Sequence, residues 1–281
     1  MKIYNRSLAL ITLVVISLTA CKKEDELQTS ADIDPNRKGS LTIEFDNRVG
    51  NLNLVLDSMF YYNSFNQNYS ISRFDYFISN IVLINENGSK YVIPQDSSYF
   101  LLKESIASTR VLNLKNIPEG NYSGVEFIVG VDSLRSTMSL DKRTGALDPG
   151  GEAAGMYWTW NSGYIFLKME GRFDDPTDSV FTPYMFQYHI GGFGGMNNPM
   201  MNNIKKISLS LVDESAEVRA SHGVDGPQIH LYVDASKMLT GPTNIDFNTH
   251  SIVMLTPFAV NMANNYSYMF SVDHVHNNHS H

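Results

Sequence analysis

Eight histidines and two tryptophans are the residues of this 281-residue chain whose chemistry and placement ask for an explanation. His189 ends the run Phe186-Gln187-Tyr188-His189-Ile190, directly before a glycine-rich segment. His230 sits in Ile229-His230-Leu231-Tyr232-Val233, where strand alternation sets it opposite Ile229, Leu231 and Val233. His250 stands alone, and His222 lies in a polar turn. The C-terminus reads Asp273-His274-Val275-His276-Asn277-Asn278-His279-Ser280-His281, so four histidines fall in the last eight residues. Imidazole is the commonest metal-binding side chain and suits copper, zinc and nickel. His-x-His in an extended strand puts both rings on one face, which is half of a coordination site. The competing reading is a satisfied core or surface histidine, and for His279 and His281 a solvated end.

Both tryptophans lie in Gly155-Met156-Tyr157-Trp158-Thr159-Trp160-Asn161-Ser162-Gly163-Tyr164, which continues as Ile165-Phe166-Leu167-Lys168-Met169-Glu170-Gly171. Asn161-Ser162-Gly163 is able to turn the chain. Residues 164–169 then read as a strand apolar on both faces, leaving Trp158 and Trp160 where a site could sit. Beyond His189, Gly191-Gly192-Phe193-Gly194-Gly195-Met196, with Met200 and Met201, reads as a flexible loop; its thioethers would also suit Cu(I). It lacks the Gly-Lys-Ser/Thr ending of a phosphate-cradling loop. Asp174-Asp175-Pro176-Thr177-Asp178 reads as a solvated turn, with oxygen ligands for calcium as the alternative.

Signatures of catalysis are missing. The chain has no Gly-x-Ser-x-Gly elbow, no His-Glu-x-x-His and no dinucleotide fingerprint. The reading is a binding protein rather than an enzyme, and a hydrolase has no positive feature behind it.

The N-terminus specifies the compartment. Lys2 and Arg6 precede the apolar stretch Leu8 to Leu18, which is of signal-peptide length and too short for a membrane span. Leu18-Thr19-Ala20-Cys21 has the form of a lipobox, with Cys21 as the lipidated first residue. Residues 1–20 are then a signal peptide, 21–39 a flexible polar tether and 40–281 the folded domain. Cys-Lys-Lys-Glu-Asp-Glu resembles the acidic export signal of surface-exposed lipoproteins. The expected location is the bacterial outer membrane, on its periplasmic or surface face, reached through the lipid. Cys21 is the only cysteine, so the domain holds no disulfide. Loss of Lys2 and Arg6 takes the formal charge from −8 to −10, which repels nucleic acid and anionic headgroups.

The elements that must position these residues are strands. Leu41-Thr42-Ile43-Glu44-Phe45 and Leu52-Asn53-Leu54-Val55-Leu56 alternate with period two. Residues 78–84 and 91–93 flank Asn85-Glu86-Asn87-Gly88 as a hairpin. Pro118-Glu119-Gly120-Asn121 turns into a strand over 122–131, and later strands are expected at 166–169, 185–190, 207–212 and 229–233. Short helices are expected at 71–77 and at 257–262, the latter with Thr256 as N-cap and Pro257 first. The fold class is all-β, an antiparallel β-sandwich with a few short helices.

Four ordered segments carry a family resemblance spanning roughly residues 41–276. The pattern Gly-Met-x-Trp-x-Trp-x-x-Gly-Tyr-x-Phe runs from Gly155, and Phe74 to Leu83 forms an aromatic-Ile-Ser-Asn-hydrophobic strand. Gly120-Asn121-Tyr122 leads to Phe127-Ile128-Val129-Gly130-Val131-Asp132, and Phe186 to Gly191 forms Phe-x-x-His-hydrophobic-Gly. Together they resemble the MbnP-like family of periplasmic or lipid-anchored copper-binding proteins associated with methanobactin operons. The resemblance implies a β-sandwich holding one copper ion through histidines, in copper acquisition or handling. In some members a di-haem MauG-type peroxidase-like partner oxidises a tryptophan to kynurenine, which joins the copper site. Carried over, His189 is the first ligand, followed by His274 and His276, then His230. Trp158 and Trp160 are both candidates for modification. Gly192-Phe193-Gly194-Gly195 stands where some relatives carry cysteine, and Asn47 where some carry a histidine. The competing reading is a surface lipoprotein module that binds a peptide, glycan or partner protein without metal.

Overall fold

The structure, a computed structural model, describes residues 33–159, 163–175, 183–195, 200–212 and 214–277. Cys21, Trp160, Met196, His279, His281 and most of the turn at 174–178 lie outside the described residues. Nine longer strands carry the architecture: β1 (Lys38–Val49), β2 (Asn68–Asn85), β3 (Val111–Pro118), β4 (Gly120–Val129), β5 (Gly163–Asp174), β6 (Tyr184–Gly191), β7 (Lys205–Ser210), β8 (Gln228–Asp234) and β9 (Phe270–His276).

They form two sheets. The smaller runs β9-β8-β1-β3, and the larger runs β7-β4-β2-β5-β6, with Ile252–Val253 at its edge. The chain crosses from one sheet to the other at Glu119, between β3 and β4. β1 alternates buried and half-exposed residues along most of its length. Its inward residues Leu41, Ile43 and Phe45 pack against the larger sheet. The Phe45 ring lies edge-on to Tyr76 at 6.4 Å and to Phe127 at 5.7 Å. Such aromatic pairs contribute beyond the area that they bury.

The all-β sandwich is as expected, and its pairings are mostly antiparallel. Two are parallel: β1 with β8, and β6 with Ile252–Val253. Parallel neighbours need a long crossover, and all five longer strands of the larger sheet are inserted between β1 and β8. Period-two alternation is the same in either direction, so it carried no sign of this.

The helix expected at 71–77 is instead part of β2. Register jumps from Glu170↔Arg73 to Gly171↔Ile71, so one extra residue bulges at Ser72. The bulge leaves Ile71, Phe74 and Ile78 on one face, a spacing that imitates helical periodicity. The C-terminal helix is α2 (Ala259–Tyr266), after a single turn α1 (Ser133–Ser136). It starts later than expected: Phe258, not Thr256, holds the cap position, without a side-chain cap. Only Leu52–Asn53 of the second alternating run pairs as a strand. The Asn-Gly hairpin forms as expected, Val82 facing Val92 and Gly88 at φ +81°.

The larger sheet is covered on both faces. β5 starts with seven consecutive buried residues, Gly163 to Met169. A second apolar cluster, with Phe77 and Phe166 from the sheet and Val131, Leu147, Met156 and Trp158 from the covering segment, seals its outer side. No helix among the described residues is long and apolar enough to cross a membrane.

Candidate functional site

The outer face of the larger sheet carries a row of charges beside that apolar cover. Leu167, Met169, Tyr188 and Ile190 point into the core, so alternation sends Lys168, Glu170 and His189 outward. Lys168 stands between Asp75 on β2 and His189 on β6, and Glu170 between Arg73 and Gln187. His189 is 8% exposed, and its Nε2 lies 2.6 Å from Glu170 Oε1. Lys168 Nζ reaches the same oxygen at 3.5 Å and donates to the Gly155 carbonyl at 3.1 Å. Arg73 Nε donates to Asp75 Oδ2 at 2.6 Å. Charges this buried persist because each has a partner.

Burial pushes the His189 pKa below its ordinary 6.5; the positive charges of Lys168 and Arg73 add to that, and the Glu170 hydrogen bond opposes it. Burial alone would raise Glu170, but the His189 hydrogen bond and the Lys168 and Arg73 charges hold it below the usual carboxylate range. Both directions fit one state: an ionised Glu170 accepting from the Nε2–H of a neutral His189. That tautomer leaves the lone pair on Nδ1, an arrangement common to metal-binding histidines.

The acid stability of the protein reports this state. The unfolded chain protonates His189 near pH 6.5 and the folded chain only below it. The stability from the neutral ring is therefore complete above about pH 6.5 and is lost as pH falls through the window beneath. Glu170 acts at lower pH, in the carboxylate range. Urea melts between about pH 7.5 and 5 should show stability falling on acidification, with a shallower fall in His189→Gln. An unchanged slope would contradict the buried neutral ring.

Gly191 is the next outward position after His189, and Trp158 lies on it. A Cβ at Gly191 would sit 2.2 Å from the Tyr164 carbonyl oxygen and 2.7 Å from Trp158 Cζ3. The glycine admits the indole, which is 5% exposed and held by pairing of Trp158 with Gly163 at the start of β5. Thus Trp158 of the one motif and Gly191 of the other meet at one point of the sheet. Trp158 also lines a cavity of about 240 Å³ with Phe193, Met200, Met201, Leu255 and Arg143. The base of the expected loop is paired: Asn203 N–H donates to the Gly192 carbonyl at 2.8 Å and Gly194 N–H to that of Met201 at 3.0 Å.

The other three candidate histidines lie elsewhere. His230 stands opposite His274 on β8 and β9, and His276 opposite Gln228, on the outer face of the smaller sheet. His189 is on the outer face of the larger sheet, with the sandwich core between the two groups. One ion cannot take all four. Among the described residues no three His, Cys, Asp or Glu side chains converge on a metal position. Two thioethers, Met200 and Met201, line the cavity with Trp158, and His189, held by a carboxylate, lies two residues along β6 from Gly191; imidazole and thioether both suit soft and borderline metals. Asn47 is buried inside the core, remote from both outer faces.

Glu170, which holds His189, and Lys168, which reaches the same Glu170 oxygen, are not among the sequence candidates. Their signal was present, as two charges at alternate positions in an otherwise apolar run. Glu44 and Asp273, beside the second histidine group, had no comparable signal.

A family model described as MbnP matches residues 38–256. The span includes Trp158, His189 and His230 and stops short of His274 and His276. Among solved structures, MbnP from Methylosinus trichosporium is similar, with a TM-score of 0.52 and 14% sequence identity. The alignment covers 86% of this chain and 100% of that one, a likeness of fold. No curated protein matches the sequence significantly. With the family model covering well over half of its length, the chain belongs to the MbnP family.

Proposed function

We propose that the protein is a copper-binding protein of the cell envelope, lipid-anchored through Cys21, which acquires or handles copper and is not an enzyme. The copper ion is held where Trp158 meets the His189 end of β6. The observation that carries this reading is the seating of Trp158 on Gly191, the outward neighbour of a carboxylate-held His189. His189 Nδ1 is the protein's imidazole donor, Glu170 fixes its tautomer, and Met200 and Met201 add soft sulfur near Trp158. An intact indole offers only an N–H donor. Oxidation of Trp158 or Trp160 to kynurenine by a di-haem MauG-type peroxidase-like partner would supply a ligating group.

The test combines metal analysis and intact mass on protein isolated from its native envelope. Copper near one equivalent, abolished in His189→Ala, is the expected result, with a mass gain of about 4 Da for kynurenine after the lipid is counted. Copper content that ignores His189→Ala would remove that ligand. A metal-free protein with intact tryptophans and a melting temperature indifferent to copper would favour a module for a peptide, glycan or partner protein.

A further inference from the structure

We propose that His230 and His274, with Glu44 and His276 beside them, form a second metal site, for a divalent first-row cation such as Zn(II), on the outer face of the smaller sheet. It is distinct from the His189 centre and independent of the copper reading.

A β-bulge builds the juxtaposition. Register along β8 and β9 passes from His230↔His274 to Leu231↔Val272, which leaves Asp273 as an extra residue. Val272 and Val275 both pack against the core. Strict alternation from Val272 would send His274 inward as well; the bulge turns it out to meet His230. The two rings lie face to face, centroids 4.2 Å apart and planes 13° from parallel. On the other side of β8, Glu44 is paired with His230 across the parallel ladder. Its Oε2 lies 3.5 Å from His230 Nδ1 and accepts from Gln228 Nε2 at 2.6 Å, which fixes the carboxylate. Asp273 Oδ2 lies 3.0 Å from His274 Nδ1 and His276 faces Gln228, so carboxylates and imidazoles surround the pair.

The chemistry favours a borderline cation. Two ligands of a tetrahedral zinc ion, with metal–ligand bonds of about 2.0–2.1 Å, are separated by about 3.4 Å. The Glu44–His230 separation, 3.5 Å, is close to it. The stacked rings do not converge as they stand, so binding requires each to turn until one of its nitrogens faces the ion. Both have room, since the His274 side chain is 50% exposed and that of His230 25%. Imidazole donors exclude calcium and magnesium, which take oxygen.

Zn(II) titration of the full chain by calorimetry, with His189→Ala present to silence the other centre, tests this. One zinc equivalent is expected, weakened by about tenfold or more in His230→Ala/His274→Ala. Binding should persist in His279→Ala/His281→Ala. His274→Gln alone, an exposed change that leaves the sheet intact, should give the same direction of loss. Co(II) in place of zinc should give the intense visible bands of a tetrahedral site. Zinc uptake unaffected by the double variant, or lost with His279 and His281, overturns the proposal, as does no uptake at all. None of these outcomes depends on copper or on tryptophan oxidation.

Discussion

Gly191→Ala is expected to destabilise the protein by about 3 kcal/mol or more and to dislodge Trp158. The added methyl would lie 2.2 Å from the Tyr164 carbonyl oxygen, which is backbone of β5, and 2.7 Å from the indole. The indole can rotate away, but the carbonyl can only move with the strand. That movement would break the β5–β6 register, which runs from Ile165↔Gly191 to Phe173↔Tyr184. Urea denaturation should show a lower midpoint, and tryptophan emission should shift to the red as Trp158 meets water. Copper uptake should fall even though no proposed ligand is altered. Gly150→Ala is the control: its nearest contact is Asp148 Oδ1 at 3.4 Å, so stability should stay within about 0.5 kcal/mol. Wild-type stability and emission in Gly191→Ala would refute the seating of the indole on the glycine, and with it the main support for the copper site.

A comparable loss is expected from Asn47→Leu. Asn47 sits in the core, where it accepts from Tyr76 Oη at 2.8 Å and donates through Nδ2 to Glu104 Oε2 at 2.8 Å. Arg110 reaches the same carboxylate at 3.4 Å. Burial raises the Glu104 pKa, against which the Asn47 hydrogen bond and Arg110 act. Leucine fills similar volume but leaves a fully buried phenol without its partner and takes one hydrogen bond from the Glu104 carboxylate, which keeps Arg110. A stranded buried phenol and a lost hydrogen bond to a charged group together cost about 3–5 kcal/mol. At about 2–4 °C per kcal/mol in a domain of this size, the melting temperature should drop by about 10 °C. Tyr76→Phe in the Asn47→Leu background should recover part of the loss, because it deletes one stranded group. A drop of only a degree or two, with no coupling between the positions, would show that the chain Tyr76-Asn47-Glu104 does not persist in solution.

The histidine candidates show what local pattern can and cannot say. His189 and His230 each fall on the outward face that alternation predicts, because the side-chain period of a strand is local. That the two faces belong to different sheets is not local. His230 on β8 pairs with β1 in parallel, and no property of Ile229-His230-Leu231 names that partner. Likewise His274 faces His230 only through the bulge at Asp273, which one register shift creates. The false helix at 71–77 has the same origin in the bulge at Ser72.

By itself the sequence determined the strand content, the sandwich, the family, and the motifs that hold Trp158 and His189, since all of these are written in short-range alternation and ordered residue patterns. Only the tertiary structure decided that Trp158 lies on Gly191, that Glu170 holds His189, and that the described histidine candidates form two groups rather than one. Those facts depend on which strand lies beside which and where a ladder slips by one residue. Packing of the whole core selects both, and no single segment carries that information.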